Sequence, residues 1–119
     1  MKRVVITGLG IVSSIGNNAD EVLASLKVGK SGISHAKSFE EQGLRSQVWG
    51  KPTIETKDHI DRKAIRFMGD AAGYAYIAMD QAIKDAKLTE EQVSNVRTGI
   101  VAGSGGASSE NIVASTDAL

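Results

Sequence analysis

Two short runs of apolar, mostly β-branched residues stand near the two ends of the chain, and both predict buried strands. The first covers residues 4–7 and the second residues 99–102, and each breaks into a turn rich in glycine and serine. Apolar runs of this length, bounded by glycine, are typical of strands covered on both faces. Between them, residues 29–60 have poor periodicity, and Val48 and Trp49 predict one short extended piece.

A helical spacing of apolar residues predicts further elements between and after these strands. The first helix is expected to start at Asn17 or Asn18, which can cap it, and to stop at Gly29 in a left-handed conformation. A short helix after Thr89 is expected to begin with a capping box that includes Gln92. A last helix is expected over residues 108–119. The apolar face predicted for the first helix consists of Ala19, Val22, Leu23 and Leu26.

The longest periodic stretch predicts one continuous helix over residues 61–87. No charge falls between Asp70 and Asp80, so the middle of this helix is expected to be buried all round, in an interior layer between sheets. Gly69 and Gly73 are costly within a helix, and the close approach of another element is their expected reason.

The composition excludes several classes of function. Fourteen basic and fourteen acidic residues cancel, so no overall field attracts nucleic acid or an anionic membrane. The chain has no cysteine, which removes disulfides, thiolate metal sites and thiol catalysis, and suits a reducing cytoplasm. No apolar run reaches the roughly 20 residues that span a bilayer, and no cleavage site of a secretory signal follows the first run.

Two glycine-rich turns have part of a nucleotide-binding motif. Gly8 and Gly10 follow a predicted strand, but Ser13 stands where the dinucleotide fingerprint needs glycine or alanine, and no acidic residue ends a second strand farther on. Residues 29–31 resemble the end of a P-loop, yet Ala24 replaces its first glycine. A tight turn is favoured over a nucleotide site.

The histidines and the first aspartates of the long helix do not form a metal or catalytic site in the sequence. His35 and His59 lie in loop-like segments without a second ligand at metal spacing, so both are expected on the surface. Asp58 and Asp61 are expected to cap the helix that follows.

A basic cluster, Arg62, Lys63 and Arg66, shares one face of the predicted helix. Cations in the first turns oppose the helix dipole, so helix stability does not explain them. One interpretation is a solvated face neutralised by neighbouring aspartates, and the other is a docking patch for a small acidic partner.

Four segments, in this order, resemble those of the β-ketoacyl-[acyl carrier protein] synthases, a family of the thiolase superfamily. They are KRVVITGLGIVSSIG from residue 2, LKVGKSGIS from residue 26, DRKAIRFMGDAAGYAYIAMDQAI from residue 61 and TGIVAGSGG from residue 98. The likeness is greatest to the type I branch of that family. The resemblance assigns residues 1–119 to the amino-terminal portion of its thiolase-like domain.

The resemblance implies an α/β fold with αβαβα layers, of which this chain holds part of the amino-terminal half. It also implies a cytoplasmic homodimer. This enzyme would join malonyl-carrier protein to an acyl group held as a thioester, and carbon dioxide would be lost in the same reaction. The substrates would arrive as phosphopantetheine thioesters on acyl carrier protein, with no separate cofactor, metal, nucleic acid or membrane partner.

The resemblance also assigns binding residues. Lys63 and Arg66 match the family's basic patch for the carrier protein, with Arg62 and Arg45 beside them. The glycine-rich turn, Ser104, Gly105 and Gly106, matches the region that borders the acyl pocket and the dimer interface; glycine leaves open a space that type II enzymes fill with isoleucine.

The family's catalytic residues, a cysteine and two histidines, have no counterpart in this chain. The resemblance therefore predicts docking and pocket elements of a condensing enzyme, without catalysis by this chain alone. Two alternatives remain open at this point: a short module that binds acyl carrier protein, and a nucleotide-binding oxidoreductase.

Overall fold

A computed structural model describes residues 2–66 and 68–117, which divide into two units. The first unit contains Met1–Gly10 together with Glu55–Leu119, and the second is Ile11–Ile54. Helices predominate in both units, and most of them begin after a residue whose side chain caps the helix or after a glycine. The structure is thus a mixed α/β arrangement in which helix is the larger part.

The second unit opens with helix α1, Ala19–Lys27. Asn18 is its N-cap, since its side-chain oxygen accepts a hydrogen bond of 3.0 Å from the backbone N–H of Glu21. Gly29 follows with a φ of +66°, which confirms the left-handed stop. The predicted apolar face is wrong in part. Val22 is buried, but Leu23 and Leu26 are mostly exposed.

The rest of the second unit consists of two short strands and one helix turn. Strands β1, Ser34–His35, and β2, Val48–Trp49, pair antiparallel, with Ser34 opposite Trp49, and α2, Lys37–Glu41, lies between them. The ring of Trp49 packs edge-on against Phe39 at a centroid distance of 5.7 Å. This confirms the short extended piece predicted at Val48 and Trp49.

In the first unit the long predicted helix is two helices. A 3₁₀ turn, Thr56–Asp58, precedes helix α3, Arg62–Ile65, and helix α4 is Asp70–Asp85. Gly69 has an extended backbone, with φ −77° and ψ 166°, and caps α4 from outside. Glycine is a poor helix former, so the predicted continuous helix is interrupted before Gly69.

Helix α4 packs most closely through glycines. A Cβ atom on Gly73 would lie 2.8 Å from Cγ2 of Thr56 in the 3₁₀ turn, and one on Gly69 would lie 2.8 Å from Cβ of Ser108. The close approaches predicted for both glycines are therefore confirmed. The predicted burial of α4 on all sides is wrong. Gly73 and Ile77 are buried, but Tyr76 and Met79 are about half exposed.

Two further helices complete the first unit. Helix α5, Glu90–Val93, begins at Thr89 with both halves of the predicted capping box, because Thr89 and Gln92 each accept from the other's backbone N–H. Helix α6, Ser109–Asp117, confirms the last predicted helix; residues 118 and 119 of that prediction lie outside the described residues. Among those described, no helix is long and apolar enough to cross a membrane.

The two predicted buried strands are wrong for this structure. Residues 4–7 and 99–102 form neither a strand nor a bridge, and their side chains are largely exposed. A strand exists only where a neighbouring strand accepts and donates its backbone hydrogen bonds, and none of the described residues does so here. Propensity alone therefore does not make a strand in either run.

Candidate functional site

The basic cluster predicted from the sequence begins in α3. Arg62 and Lys63 lie within this four-residue helix and Arg66 is its C-cap, and all three are exposed. Asp61 caps the helix, since its carboxylate accepts a hydrogen bond of 2.8 Å from the backbone N–H of Lys63. The cap predicted at Asp61 is confirmed.

The cations of α3 are not neutralised by ion pairs in the way the solvated-face interpretation expects. Ion pairs occur elsewhere on the surface, for example between Lys84 and Asp80 at 2.6 Å. Within residues 2–66 and 68–117, no carboxylate lies within ion-pair distance of Arg62 or Lys63. Their positive charges therefore face solvent, which is compatible with a solvated face and with a docking patch. Arg45 is exposed in the second unit, between α2 and β2, and its part in the same patch stays a prediction.

A groove in the first unit brings the glycine-rich turn against α4. It has a volume of about 560 Å³ and is open to solvent. We call it the small-residue groove, because every side chain that lines it is a hydrogen, a methyl or a hydroxymethyl group: Gly69, Ala71, Ala72, Ala75, Ala102, Gly103, Ser104, Gly106 and Ser108. Such lining leaves room that larger side chains would fill.

The predicted pocket residues contribute to this groove unequally. Ser104 donates a hydrogen bond of 2.8 Å to the carbonyl of Gly106, which closes the turn and sets both residues on the groove wall. Gly105 is at the tip, outside the lining, and a Cβ atom there would meet no atom within 4 Å. The alanines of α4 were not predicted as lining, because their contact with the turn depends on tertiary packing.

A second, polar pocket was not predicted. It has a volume of about 350 Å³ and is lined by Asp58, His59, Tyr76, Ile77, Asp80 and Lys84. The four-residue spacing of its α4 members is the only sequence signal for it. His59 is exposed, as expected, and His35 is exposed beside Glu40 at 3.4 Å. No group of three metal-ligating side chains occurs in the part of the chain that the structure describes.

The environment of Tyr74 changes the acidity of its phenol. Burial raises the pKa of the Tyr74 phenol, and the nearby negative charges of Asp70 and Glu55 raise it further. The phenol is therefore neutral at physiological pH.

The glycine turn considered for nucleotide binding is covered by α4. Cβ atoms on Gly8 or Gly10 would collide with the backbone carbonyls of Ala82 and Ala78, respectively, and the backbone N–H of Leu9 donates to the carboxylate of Asp85 at 2.9 Å. These glycines thus allow the turn to pack on a helix, which favours the tight-turn interpretation.

The candidate site consists of the exposed cations of α3 and the groove of small side chains. These features belong to a protein with a mixed α/β arrangement. A model of the β-ketoacyl synthase amino-terminal domain matches residues 1–119. The chain belongs to the β-ketoacyl synthase family, and a thiolase-like fold follows from that membership.

Two of the relatives match the whole of this chain. It is 58% identical over 119 residues to 3-oxoacyl-[acyl-carrier-protein] synthase 1 of Haemophilus influenzae, and 54% identical over 120 residues to the protein of that name from Escherichia coli K12. A 3-oxoacyl-[acyl-carrier-protein] synthase 2 of Staphylococcus aureus is 34% identical over 87% of the chain. The chain spans 29% and 30% of the length of the first two relatives, and 25% of the third.

Proposed function

We propose that this chain is the amino-terminal part of a β-ketoacyl-[acyl carrier protein] synthase of type I. It docks the acyl carrier protein and forms part of the acyl pocket, while the rest of the enzyme supplies the chemistry. The observation that carries the proposal is the match of the whole chain to the amino-terminal domain of this family. The complete enzyme would join an acyl thioester to malonyl-carrier protein in fatty-acid synthesis, in the cytoplasm and as a homodimer with layered αβαβα subunits.

Docking rests on the charge of α3. Arg62 and Lys63 are exposed and face solvent without a carboxylate partner in the described part of the chain, so their field is available to an acidic protein. Because the chain has no net charge, attraction is local and positions the partner at this patch. Arg66 and Arg45 are proposed to extend the patch.

Acyl binding rests on the small-residue groove. Ser104 and Gly106 form one wall and the alanines of α4 form the other, so an apolar chain could lie along methyl groups without displacing a large side chain. Gly105 at the tip is proposed to lie at the edge of the pocket, near the second subunit of the complete enzyme. The substrate is proposed to enter as a phosphopantetheine thioester, with no further cofactor.

Catalysis is assigned to residues outside this chain. The acyl group is proposed to be held as a thioester on a cysteine, and the chain has no cysteine. The chain alone is therefore expected to bind carrier protein without condensing or decarboxylating its substrates.

The test measures binding of an acidic acyl carrier protein to the chain at low salt. Lys63→Glu is expected to weaken binding by about five- to tenfold, because it replaces an attraction with a repulsion at a partly solvated contact. The wild-type affinity should fall as salt is added. Arg97→Glu is the matched control, since Arg97 is exposed in the same unit but outside the basic cluster. Equal affinities for all three proteins would refute the docking proposal.

A further inference from the structure

Gly69 lies where the basic helix meets the small-residue groove. Helix α3 carries Arg62 and Lys63, and α4 begins directly after Gly69. Gly69 also lines the groove, and all of these residues belong to the first unit. The chain therefore passes from the basic cluster to the groove wall within a few residues.

The basic cluster and the groove are close enough for one substrate to reach both. From Lys63 to Gly69 the backbone spans at most about 15 Å, because residues of α3 rise only about 1.5 Å each and the link that follows at most about 3.5 Å each. A phosphopantetheine arm is a chain of about 15 bonds that each advance about 1.2 Å, so it reaches about 18 Å. One arm can thus extend from a carrier protein docked on α3 to the groove.

The groove also has room for an acyl chain at the end of such an arm. Its wall on α4 runs from Gly69 to Ala75, which is about 9 Å of helix. That length matches an extended chain of about eight carbon atoms. An octanoyl group is therefore the appropriate probe of the groove.

A close contact requires glycine at position 69. A Cβ atom on Gly69 would lie 2.8 Å from Cβ of Ser108, which also lines the groove. The backbone of Gly69 is extended, with φ −77° and ψ 166°, and other residues adopt this conformation without strain. The contact with Ser108, and not the conformation, therefore accounts for glycine here.

Backbone hydrogen bonds hold both sides of this contact. The N–H of Met68 donates to the carbonyl of Ile65 at 3.0 Å, which ties the link to α3. The hydroxyl of Ser108 accepts from the N–H of Asn111 at 3.3 Å, at the start of α6. A methyl group at position 69 must therefore displace one of these sides, by about 0.7 Å for an ordinary carbon contact.

We propose that Gly69 is a positioning residue. Its contact with Ser108 holds α3 at a fixed distance and direction from the small-residue groove, so that a carrier protein docked on Lys63 delivers its acyl chain into the groove. This role rests on the proposed function, because α3 must dock the carrier protein and the groove must take the acyl chain.

The experiment compares the dissociation constants of the 119-residue chain for two probes. One is the carrier protein with an unacylated phosphopantetheine arm, which reports docking, and the other is octanoyl-carrier protein. The ratio of the two constants measures what the acyl chain adds. The wild type is expected to bind octanoyl-carrier protein about tenfold more tightly, since the groove removes part of the acyl chain from water.

Three variants separate positioning from loss of space in the groove. Gly69→Ala should weaken binding of octanoyl-carrier protein more than that of the unacylated probe, so that the ratio falls by at least about threefold. Adding Ser108→Gly to Gly69→Ala keeps the new methyl group but removes the Cβ atom that it meets, so the ratio should recover. Gly103→Ala is the matched control for lost space, because it adds a methyl group to the groove wall where a Cβ atom would meet no atom within 4 Å.

Three results would overturn the positioning role. They are a wild-type ratio in Gly69→Ala, an equal fall of the ratio in Gly103→Ala, and no recovery in the double variant. Equal affinity of the wild type for the two probes would overturn acyl binding in the proposed function together with this role. Failure of carrier-protein docking would appear separately, as an unchanged affinity of Lys63→Glu for the unacylated probe.

Discussion

Replacement of Gly73 by alanine should change the free energy of unfolding through two effects of opposite sign. Alanine is the better helix former, and within α4 it should stabilise the chain by about 1 kcal/mol relative to glycine. The new methyl group would, however, lie 2.8 Å from Cγ2 of Thr56 and 3.2 Å from its Cβ atom, both inside ordinary contact distance. Overpacking of this kind costs roughly 1–3 kcal/mol. We expect Gly73→Ala to destabilise the first unit by about 1 kcal/mol.

The assay is urea unfolding followed by circular dichroism for four proteins: wild type, Gly73→Ala, Thr56→Ser and the double variant. Thr56→Ser removes the methyl group that causes the nearest contact, so the double variant should be more stable than the sum of the single changes predicts, by about 1–2 kcal/mol. Gly103→Ala is the control, because a Cβ atom there would meet no atom within 4 Å. Additive effects, or a Gly73→Ala protein more stable than wild type, would refute the packing argument.

Two further predictions concern a buried hydroxyl and a phenol. Ser25 is buried and donates a hydrogen bond of 2.6 Å to the carbonyl of Ile15, so Ser25→Ala should cost about 1–3 kcal/mol in urea unfolding; a change no larger than that of the exposed Ser31→Ala would contradict this. Because the folded state raises the pKa of Tyr74, its contribution to stability is complete below about pH 10 and is lost as pH rises through the folded-state pKa. In a Tyr76→Phe variant, whose one phenol is Tyr74, the absorbance of the phenolate should appear at higher pH in the folded chain than in urea, and coincident curves would contradict the stated environment.

Local signals in the sequence predicted the ends of helices well. Asn18, Gly29 and the Thr89–Gln92 box act within one turn of the backbone, so the residues that form the contact are neighbours in the sequence. The break at Gly69 was missed, because the apolar spacing on its two sides is compatible with one helix and tertiary packing decides where the chain turns. Residues 4–7 and 99–102 were predicted as strands on propensity, but a strand depends on a partner far along the chain.

The residues of the candidate site were also predictable to different degrees, because some depend on local spacing and others on tertiary packing. Arg62 and Lys63 follow from helical spacing, and their place in one short helix is confirmed. Ser104 and Gly106 were assigned by resemblance alone, and the structure brings them together in one groove wall, while their role in binding stays a prediction. The alanines opposite them carry no chemical signal, since a methyl group becomes part of a groove only through what packs across from it.

The glycines that pack against helix α4 differ in how freely evolution or a designer could replace them. Gly73 is opposed by a removable methyl group of Thr56, so a lineage that first loses this methyl group can accept alanine at 73 afterwards, whereas the reverse order passes through a less stable protein. Gly10 is opposed by the backbone carbonyl of Ala78, which every amino acid carries. No second substitution removes that carbonyl, so the backbone itself requires glycine at position 10. At position 73 glycine is required only while Thr56 keeps its methyl group.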